Sequence, residues 1–190
     1  MRIIAGKFKK ARIHAVPKGK TRPTTDFLRE MIFSVIQECD GQKVLDLFAG
    51  SGSLGLEALS RGAKSALFVD ISENSIKTIK QNVEKLRCEA NTQYIRKKAS
   101  AFLKVNQDKF DLIFLDPPYN KRQINPTLAL IFELDTVEDG GLIVIEHSRS
   151  EKIDEQWMYF KTFERKAGDS MVTILQPEKS KIKDLNDEDL

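Results

Sequence analysis

The sequence predicts an α/β protein whose sheet is mostly parallel, with helices on both faces and one antiparallel edge. From residue 43 onward, short apolar segments alternate with longer segments whose apolar residues recur at helical spacing. Strands that alternate with helices along a chain usually pair in parallel. The last two apolar segments are joined only by the turn at residues 166–169, which is typical of an antiparallel hairpin.

The chain opens with a small basic hairpin. Residues 2–4 and 11–16 favour extended structure and flank a turn that contains Gly6. Thr24 or Thr25 can cap a helix, because a set of apolar residues follows at helical spacing. The set is Phe27, Leu28, Met31, Ile32, Val35 and Ile36.

Seven strands and four further helices are expected beyond this first helix. The strands are predicted at residues 43–48, 65–69, 93–96, 110–115, 142–146, 158–165 and 171–176. The helices are predicted at 54–61 and 74–87, and near 99–105 and 123–134. We therefore expect an N-terminal hairpin extension at 1–22, one α/β domain at 23–177, and a charged, frayed tail at 178–190.

Length and composition exclude several classes of protein. The 190 residues suffice for one domain with a substantial core. No apolar run approaches the roughly 18 to 20 residues of a membrane span, and no apolar segment of a secretory signal follows the basic N-terminus. Cys39 and Cys88 alone cannot form a disulfide framework or a zinc site. We expect a monomer in a reducing cytoplasm, with no membrane and no metal.

The positive charge is concentrated at the N-terminus. The net charge is +3, but residues 1–22 hold eight Lys and Arg and no acid, which leaves −5 for the remainder. A basic arm on an acidic body suggests a polyanionic partner such as a nucleic acid, with a solvated basic tail as the alternative. The candidate RNA contacts are Lys7, Lys9, Lys10 and Arg22.

The first predicted strand runs into a glycine-rich turn. Residues 50–55 fit the pattern G-x-G-x-x-G, and Asp70 follows Gly50 by 20 residues, where an acid can accept hydrogen bonds from ribose hydroxyls. This pattern suits NAD or S-adenosylmethionine, and it also occurs as a tight turn without a ligand. Asp46 would repel a pyrophosphate but could bind the cationic aminoacid end of S-adenosylmethionine. The candidate cofactor-binding residues are Asp46, Phe48, Ala49, Gly50, Ser51, Gly52 and Asp70.

A second motif, Asp116-Pro117-Pro118-Tyr119, follows the fourth strand. The prolines remove two backbone donors and stiffen the chain. The Asp116 carboxylate and the Pro117 carbonyl can accept both protons of an exocyclic base amine and orient its lone pair, while Tyr119 can stack on the base. A stiff loop with a capping Asp is the alternative. We take residues 116–119 as the candidate catalytic residues.

These motifs, in this order, resemble the class I S-adenosylmethionine-dependent amino-methyltransferases, and most closely the bacterial 16S rRNA (guanine(966)-N(2))-methyltransferases. The matching segments are residues 2–7, 22–26, 46–61, 116–119 and 164–169. The resemblance covers residues 1 to about 176. It implies a Rossmann-like fold with a seven-stranded sheet.

The resemblance also implies an activity. It implies methyl transfer from S-adenosylmethionine to the N2 amine of one guanine in 16S rRNA, within a small-subunit assembly particle. It assigns the cofactor role to residues 49–52 and Asp70, and the target amine to residues 116–119. Residues 22–25 would close over the cofactor or the RNA.

Two positions depart from the family's pattern. Lys98 stands where an acid near the adenine is expected, so other groups must bind the adenine amine, such as the backbone around Ala99. Phe27 stands where a basic residue is expected, so a phosphate contact is missing there or the side chain packs. Cys39 and Cys88 lack the neighbours of a C5-pyrimidine methylase nucleophile.

Other interpretations remain open. A DNA adenine-N6 methyltransferase shares the amine chemistry, although this chain has no spare residues for a DNA-recognition domain. The glycine turn also fits a nucleotide- or RNA-binding module without catalysis, or an NAD-dependent oxidoreductase.

Overall fold

The computed structural model describes residues 1–17, 26–37 and 39–178. The expected helix cap at Thr24 or Thr25, the candidate RNA contact Arg22 and the expected tail beyond Glu178 lie outside these ranges. The helices are α1 Asp26–Ile36, α2 Ser53–Ser60, α3 Glu73–Leu86, α4 Ala99–Leu103, α5 Ile124–Glu133 and α6 Glu155–Met158. The strands are β1 Lys43–Leu47, β2 Ser65–Asp70, β3 Thr92–Arg96, β4 Phe110–Leu115, β5 Val137–Ser148, β6 Lys161–Ala167 and β7 Ser170–Leu175.

The seven strands within the described ranges form one sheet in the order β3-β2-β1-β4-β5-β7-β6. The first five strands in this order are parallel, and β7 is antiparallel to both β5 and β6. The predicted fold class is confirmed, including its antiparallel edge. The order reverses between β1 and β4, because the chain builds outward from β1 to β3 and then returns to β4. Ligands of open α/β sheets bind at such a switch point.

Helices cover both faces of the sheet and divide the core into two apolar clusters. Successive residues of the central strands alternate between them: Val44 and Phe114 lie in the cluster under α1, α2 and α3, whereas Leu45 and Leu115 lie in the cluster under α4 and α5. Both faces are therefore buried, as expected for a parallel sheet. Among the described residues, no helix is both long and apolar enough to cross a membrane.

Two boundaries near the antiparallel edge differ from the prediction. The strand expected at 142–146 begins at Val137, and an irregularity in its pairing with β4 lies where Gly140 adopts a φ of 72°. The strand expected at 158–165 begins at Lys161, after the short helix α6. The spacing of apolar residues does not predict either strand start, because a bulge and a single helical turn each break the two-residue period of a strand.

The N-terminal segment is docked on the body rather than projecting from it. Arg2 and Arg12 form an isolated antiparallel bridge, and Ile3 and Ile13 are buried in the cluster under α1, α2 and α3. The fully buried carboxylate of Glu57 on α2 accepts hydrogen bonds from the backbone N–H groups of Ile4 (2.7 Å) and Ala5 (3.0 Å) and from Arg61 Nε (2.9 Å). This carboxylate holds the hairpin in place.

Candidate active site

The two sequence motifs meet at the carboxyl ends of neighbouring strands. Leu47 of β1 pairs with Val69 of β2 and with Leu115 of β4. The next residue of each strand is therefore at one level of the sheet, where strands are about 4.8 Å apart. These residues are Phe48, Asp70 and Asp116. We call this side of the sheet the carboxyl edge; it contains the switch point between β1 and β4.

The glycines of the turn after β1 have different roles. A Cβ on Gly55 would lie 2.4 Å from Cε1 of Phe68, so this glycine permits α2 to pack closely on β2. Gly52 is the N-cap of α2 and adopts a φ of 77°, which favours glycine. A Cβ on Gly50 would meet nothing nearer than the Phe48 carbonyl oxygen at 3.9 Å. The turn is thus open above Gly50, where a ligand can approach the backbone.

Asp46 lies beneath this turn and is only 2% exposed. Its Oδ2 accepts a hydrogen bond from Gly55 N–H at 3.0 Å. Burial raises the pKa of Asp46 to about 8, and the nearby Asp70 carboxylate adds to the rise. A cationic ligand would stabilise the ionised form of this buried carboxyl, because the positive charge offsets the cost of ionising it.

Asp70 locks the turn against β2. Its Oδ2 accepts from Gly50 N–H at 2.8 Å and its Oδ1 from Ser72 N–H at 2.7 Å. A carboxylate has about four acceptor positions, so capacity remains for hydroxyl groups of a ligand. The next residue, Ile71, is 57% exposed at the same edge. Sequence reasoning missed Ile71, because a single exposed Ile has no signal of its own in a sequence.

Tyr119 is tied to the antiparallel part of the sheet by its hydroxyl. The hydroxyl donates to Oε1 of Glu146 at 2.8 Å and lies 2.6 Å from the Ser170 hydroxyl. Desolvation, followed by the effect of the Glu146 carboxylate, raises the Tyr119 pKa, so the phenol keeps its proton. Pro117 is buried and Pro118 is exposed. The motif therefore presents a half-buried ring of fixed orientation beside Asp116.

Glu146 and Ser170 were missed by sequence reasoning. They lie 24 residues apart, on β5 and β7, and meet only because those strands pair antiparallel. Asn82 of α3 was also missed, because its partners meet it only through the packing of α3 against the glycine turn and the N-terminal segment. Its buried amide donates to the Ser51 and His14 carbonyl oxygens at 3.0 and 3.1 Å, and it accepts from His14 N–H at 2.7 Å. It links the glycine turn to the N-terminal segment.

Three of the candidate RNA contacts, Lys7, Lys9 and Lys10, are not at the carboxyl edge. Lys7 N–H donates to the Ser60 carbonyl oxygen, and Phe8 N–H to the Ser60 hydroxyl. Ser60 ends α2, which begins at the carboxyl edge and rises about 11 Å over its length. Lys9 and Lys10 belong to the same turn as Lys7. The structure therefore separates these lysines from residues 116–119 by the length of α2.

The two departures from the family's pattern are both exposed. Lys98 occupies the N-cap position of α4 and makes no side-chain cap bond, while Ala99 after it is buried. Phe27 is 63% exposed, so it does not pack into the core. Burial raises the pKa of the Cys39 and Cys88 thiols to about 11, which leaves neither as a thiolate nucleophile near pH 7.

The chain matches a known protein family over nearly its whole length. The family described as "Conserved hypothetical protein 95" matches residues 1–176. This chain belongs to that family. This match and the small-subunit rRNA methyltransferases among the relatives confirm the resemblance to class I S-adenosylmethionine-dependent methyltransferases. Among the described residues, no group of three or more His, Cys, Asp or Glu side chains could hold a metal ion.

Similar proteins carry methyltransferase names. The chain is 42% identical over 159 residues to "Putative rRNA methyltransferase YlbH" of Bacillus subtilis (strain 168), covering 82% of this chain and 86% of that protein. It is 33% identical over 167 residues to "Ribosomal RNA small subunit methyltransferase D" of Haemophilus influenzae (strain ATCC 51907 / DSM 11121 / KW20 / Rd), covering 85% and 86%. The solved structure "Putative methyltransferase yhhF from Escherichia coli" matches with a TM-score of 0.82 and 30% identity, over 94% of this chain and 98% of that one.

Proposed function

We propose that this methyltransferase transfers a methyl group from S-adenosylmethionine to the exocyclic N2 amine of a guanine in 16S rRNA of the small ribosomal subunit. The observation that carries the proposal is the meeting of the glycine turn and residues 116–119 on either side of the switch point between β1 and β4. A methyl donor held at one motif would then face an amine held at the other. The small-subunit names among the relatives support the choice of RNA.

The residues after β1 and β2 fit the cofactor. Residues 48–52 would hold it at the open face above Gly50, with the Asp70 oxygens on the ribose hydroxyls. The buried carboxyl of Asp46 would bind the ammonium group, directly or through water. The cofactor supplies a methyl group on a positively charged sulfur, which an oriented amine lone pair can attack. The Ile71 side chain, exposed beside Asp70, would cover an apolar face of the adenine.

The residues after β4 would prepare the amine. An aromatic exocyclic amine is a poor nucleophile, because its lone pair is delocalised into the ring. The Asp116 carboxylate and the Pro117 carbonyl would each accept one N–H, which turns the lone pair toward the methyl donor. The Tyr119 ring would stack on the extruded guanine. The methylated amine is acidic enough for its extra proton to leave to water, so Asp116 acts by orientation.

The remaining assignments follow from this activity. We propose that the protein acts as a monomer in the cytoplasm, on rRNA in a small-subunit assembly particle, without a metal. Lys7, Lys9, Lys10 and Arg22 would bind RNA away from the reacting base. The 1–22 extension, the 23–177 domain and the 178–190 tail remain our proposed division of the chain, with Ile3 and Ile13 joining the extension to the domain core.

The experiment that tests the function is transfer of tritium from labelled S-adenosylmethionine to small-subunit particles, naked 16S rRNA and duplex DNA in parallel. We expect label in the particles or the rRNA, recovered after digestion as N2-methylguanosine. Label only in DNA, recovered as N6-methyladenine, would support the DNA alternative instead. No label in any substrate would contradict both.

Asp116→Asn tests the role of the carboxylate. Because the amide would present a donor to the amine, we expect kcat to fall about 100-fold while the Kd for S-adenosylhomocysteine stays unchanged. The matched control is Asp111→Asn, since Asp111 lies at the opposite end of β4 and its carboxylate holds Lys43 N–H. An equal loss of kcat and of cofactor affinity would refute the assigned role.

A further inference from the structure

Two loops at the carboxyl edge carry exposed cations that have no role so far. The β4 loop, residues 116–123, contains Lys121 and Arg122 directly after the catalytic motif. The β5 loop, residues 148–154, contains Arg149. Since β4 and β5 are parallel neighbours with Leu115 opposite Ile145, the two loops leave the sheet side by side. Lys121, Arg122 and Arg149 are all exposed. A fourth exposed cation, Lys152 of the β5 loop, lies between the acids Glu151 and Asp154.

Side-chain hydrogen bonds join the two loops. The Ser150 hydroxyl donates to Oδ1 of Asn120 at 2.9 Å. Asn125, in the first turn of α5, donates to the Lys152 carbonyl oxygen at 3.1 Å and to Oδ1 of Asp154 at 2.9 Å. Lys121 adjoins Asn120 in the chain, and Arg149 adjoins Ser150. The joined loops therefore present these cations on one continuous surface.

The β5 loop is also supported from the sheet. His147 is buried, and its Nδ1 lies 3.1 Å from the Ser148 carbonyl oxygen and 3.2 Å from that of Glu151. Its Nε2 lies 3.0 Å from the Thr173 hydroxyl. Two carbonyl acceptors require Nδ1 to carry a proton. This support fixes the loop that carries Arg149 before any ligand arrives.

The charges of these cations are available to a ligand. Some surface lysines are paired: Lys77 lies 2.7 Å from Glu73, Lys109 contacts Asp135, and Lys161 lies 3.1 Å from Glu164. By contrast, Lys121, Arg122 and Arg149 form no ion pair within the described part of the chain. Cations left unpaired on a fixed surface attract polyanions most strongly.

Their location differs from that of the N-terminal lysines. Lys7, Lys9 and Lys10 lie at the far end of α2, whereas Lys121 follows Tyr119 by two residues. A base stacked on Tyr119 stays joined to its own phosphates, which must lie next to the same loop. Long cationic side chains in this loop can reach them, and an Arg can bind a phosphate through two parallel hydrogen bonds.

We propose that Lys121, Arg122 and Arg149, the rim cations, bind the RNA phosphates that flank the target nucleotide. This inference rests on the proposed function, since it requires an RNA base at Tyr119. Fixing the backbone on a pre-formed surface offsets part of the free energy needed to unstack the base. The rim cations position the substrate, and the N-terminal lysines contribute a separate contact.

The test compares two triple variants with the wild-type protein. The rim variant, Lys121→Gln/Arg122→Gln/Arg149→Gln, removes the rim charges. The control variant, Lys64→Gln/Lys85→Gln/Lys104→Gln, removes three exposed charges opposite the carboxyl edge, before β2, in the last turn of α3 and after α4. Affinity for a labelled 16S rRNA fragment is measured between about 50 and 200 mM salt, and the KM for RNA is measured by tritium transfer. The variant Arg149→Lys keeps the charge.

We expect the rim variant to lower the slope of log affinity against log salt by about 2, since each single-strand phosphate contact contributes about 0.7. KM should rise about 10- to 100-fold with an unchanged Kd for S-adenosylhomocysteine. The control triple variant and Arg149→Lys should keep the wild-type slope. An unchanged slope in the rim variant, or the same loss in the control, would overturn the inference.

The two proposals fail in distinguishable ways. If the wild type binds the fragment through the rim cations but labels no RNA, the proposed function fails and the binding surface stands. If the wild type labels RNA while the rim variant binds and reacts normally, only the inference fails. Rim-dependent binding to duplex DNA and not to RNA would overturn the choice of RNA.

Discussion

In the proposed site, Tyr119 has two separable properties, a ring that would stack on the base and a hydroxyl that fixes the ring. The hydroxyl contacts Glu146 and Ser170, which belong to the antiparallel pair of strands β5 and β7. Removing it should leave the ring present but less fixed. The ring alone would be worth about 1–3 kcal/mol of stacking with a base, and each hydrogen bond about 0.5–1.5 kcal/mol.

For Tyr119→Phe we therefore expect kcat to fall about 3- to 10-fold, with the Kd for S-adenosylhomocysteine unchanged. Ser170→Ala should have a similar effect, and the double variant should lose little more than either single one, because both remove the same contact. Tyr94→Phe, on the exposed edge strand β3, is the control. Additive losses in the double variant would show that the two hydroxyls act independently.

Asp46 should make cofactor binding depend on pH. Its pKa of about 8 means that the carboxyl is protonated at pH 7 in the ligand-free protein. An ammonium group favours the ionised form, so binding near pH 7 should release a proton. Affinity should then rise with pH and level off above about pH 8.

The measurement is calorimetric titration with S-adenosylhomocysteine at pH 6 to 9, in two buffers of different ionisation enthalpy. Asp46→Asn should bind more weakly and release no proton, whereas Asp111→Asn should behave as the wild type does. Wild-type affinity that is flat from pH 6 to 9, without proton release, would mean that Asp46 does not meet the ammonium group.

At the scale of elements, Glu57 is the contact that turns the N-terminal extension into part of the domain. Three donors converge on its buried carboxylate, two of them backbone N–H groups of the extension. In Glu57→Gln the new NH₂ group would face donors, which leaves buried polar groups unsatisfied. We expect the free energy of unfolding to fall by about 3 kcal/mol and the backbone amides of Ile4 and Ala5 to exchange faster.

Chemical denaturation and hydrogen exchange measure these two effects. Glu84→Gln is the matched control, because Glu84 is exposed on α3 and its ion pair with Lys80 is long, at 4.0 Å. A stable Glu57→Gln protein with slow exchange in the extension would show that the burial of Ile3 and Ile13 alone holds it.

The elements themselves differ in how well a sequence predicts them. The strands β1, β2 and β4 were predicted to within a residue, because strands buried on both faces appear as short continuous apolar runs. Near the antiparallel edge, β5 and β6 were misjudged. The bulge beside Gly140 depends on pairing with the neighbouring strand β4. The single turn of α6 depends on aromatic packing, since the ring centroids of Trp157 and Phe132 stack 4.6 Å apart.

Cofactor binding should raise the thermal stability of the whole protein, so Tm measurements can identify the ligand. A ligand that binds only the folded state at about 100 times its Kd adds about 2.7 kcal/mol to the free energy of unfolding. For a chain of 190 residues this corresponds to a rise in Tm of about 5–10 °C.

Above pH 8, where the Asp46 carboxyl is ionised and disfavours a pyrophosphate at the turn, we expect S-adenosylhomocysteine to raise Tm by this amount and NAD to leave it unchanged. Differential scanning calorimetry over a series of ligand concentrations measures the effect. A rise with NAD alone would favour the oxidoreductase interpretation. Asp46→Asn should reduce the Tm shift with S-adenosylhomocysteine, which would show that the shift arises from binding at the glycine turn.

The fold class, the glycine turn and the motif at residues 116–119 can be recognised from the sequence, because each depends on short-range chemistry: apolar periodicity, backbone freedom at glycine, and acceptors that immediately follow a buried strand. Which groups meet depends on the tertiary structure. It joins Tyr119 to Glu146 and Ser170, places the N-terminal lysines at the far end of α2, and brings the loops that carry Lys121 and Arg149 into contact. Strand order and helix packing make these contacts, and neither leaves a local pattern in the chain.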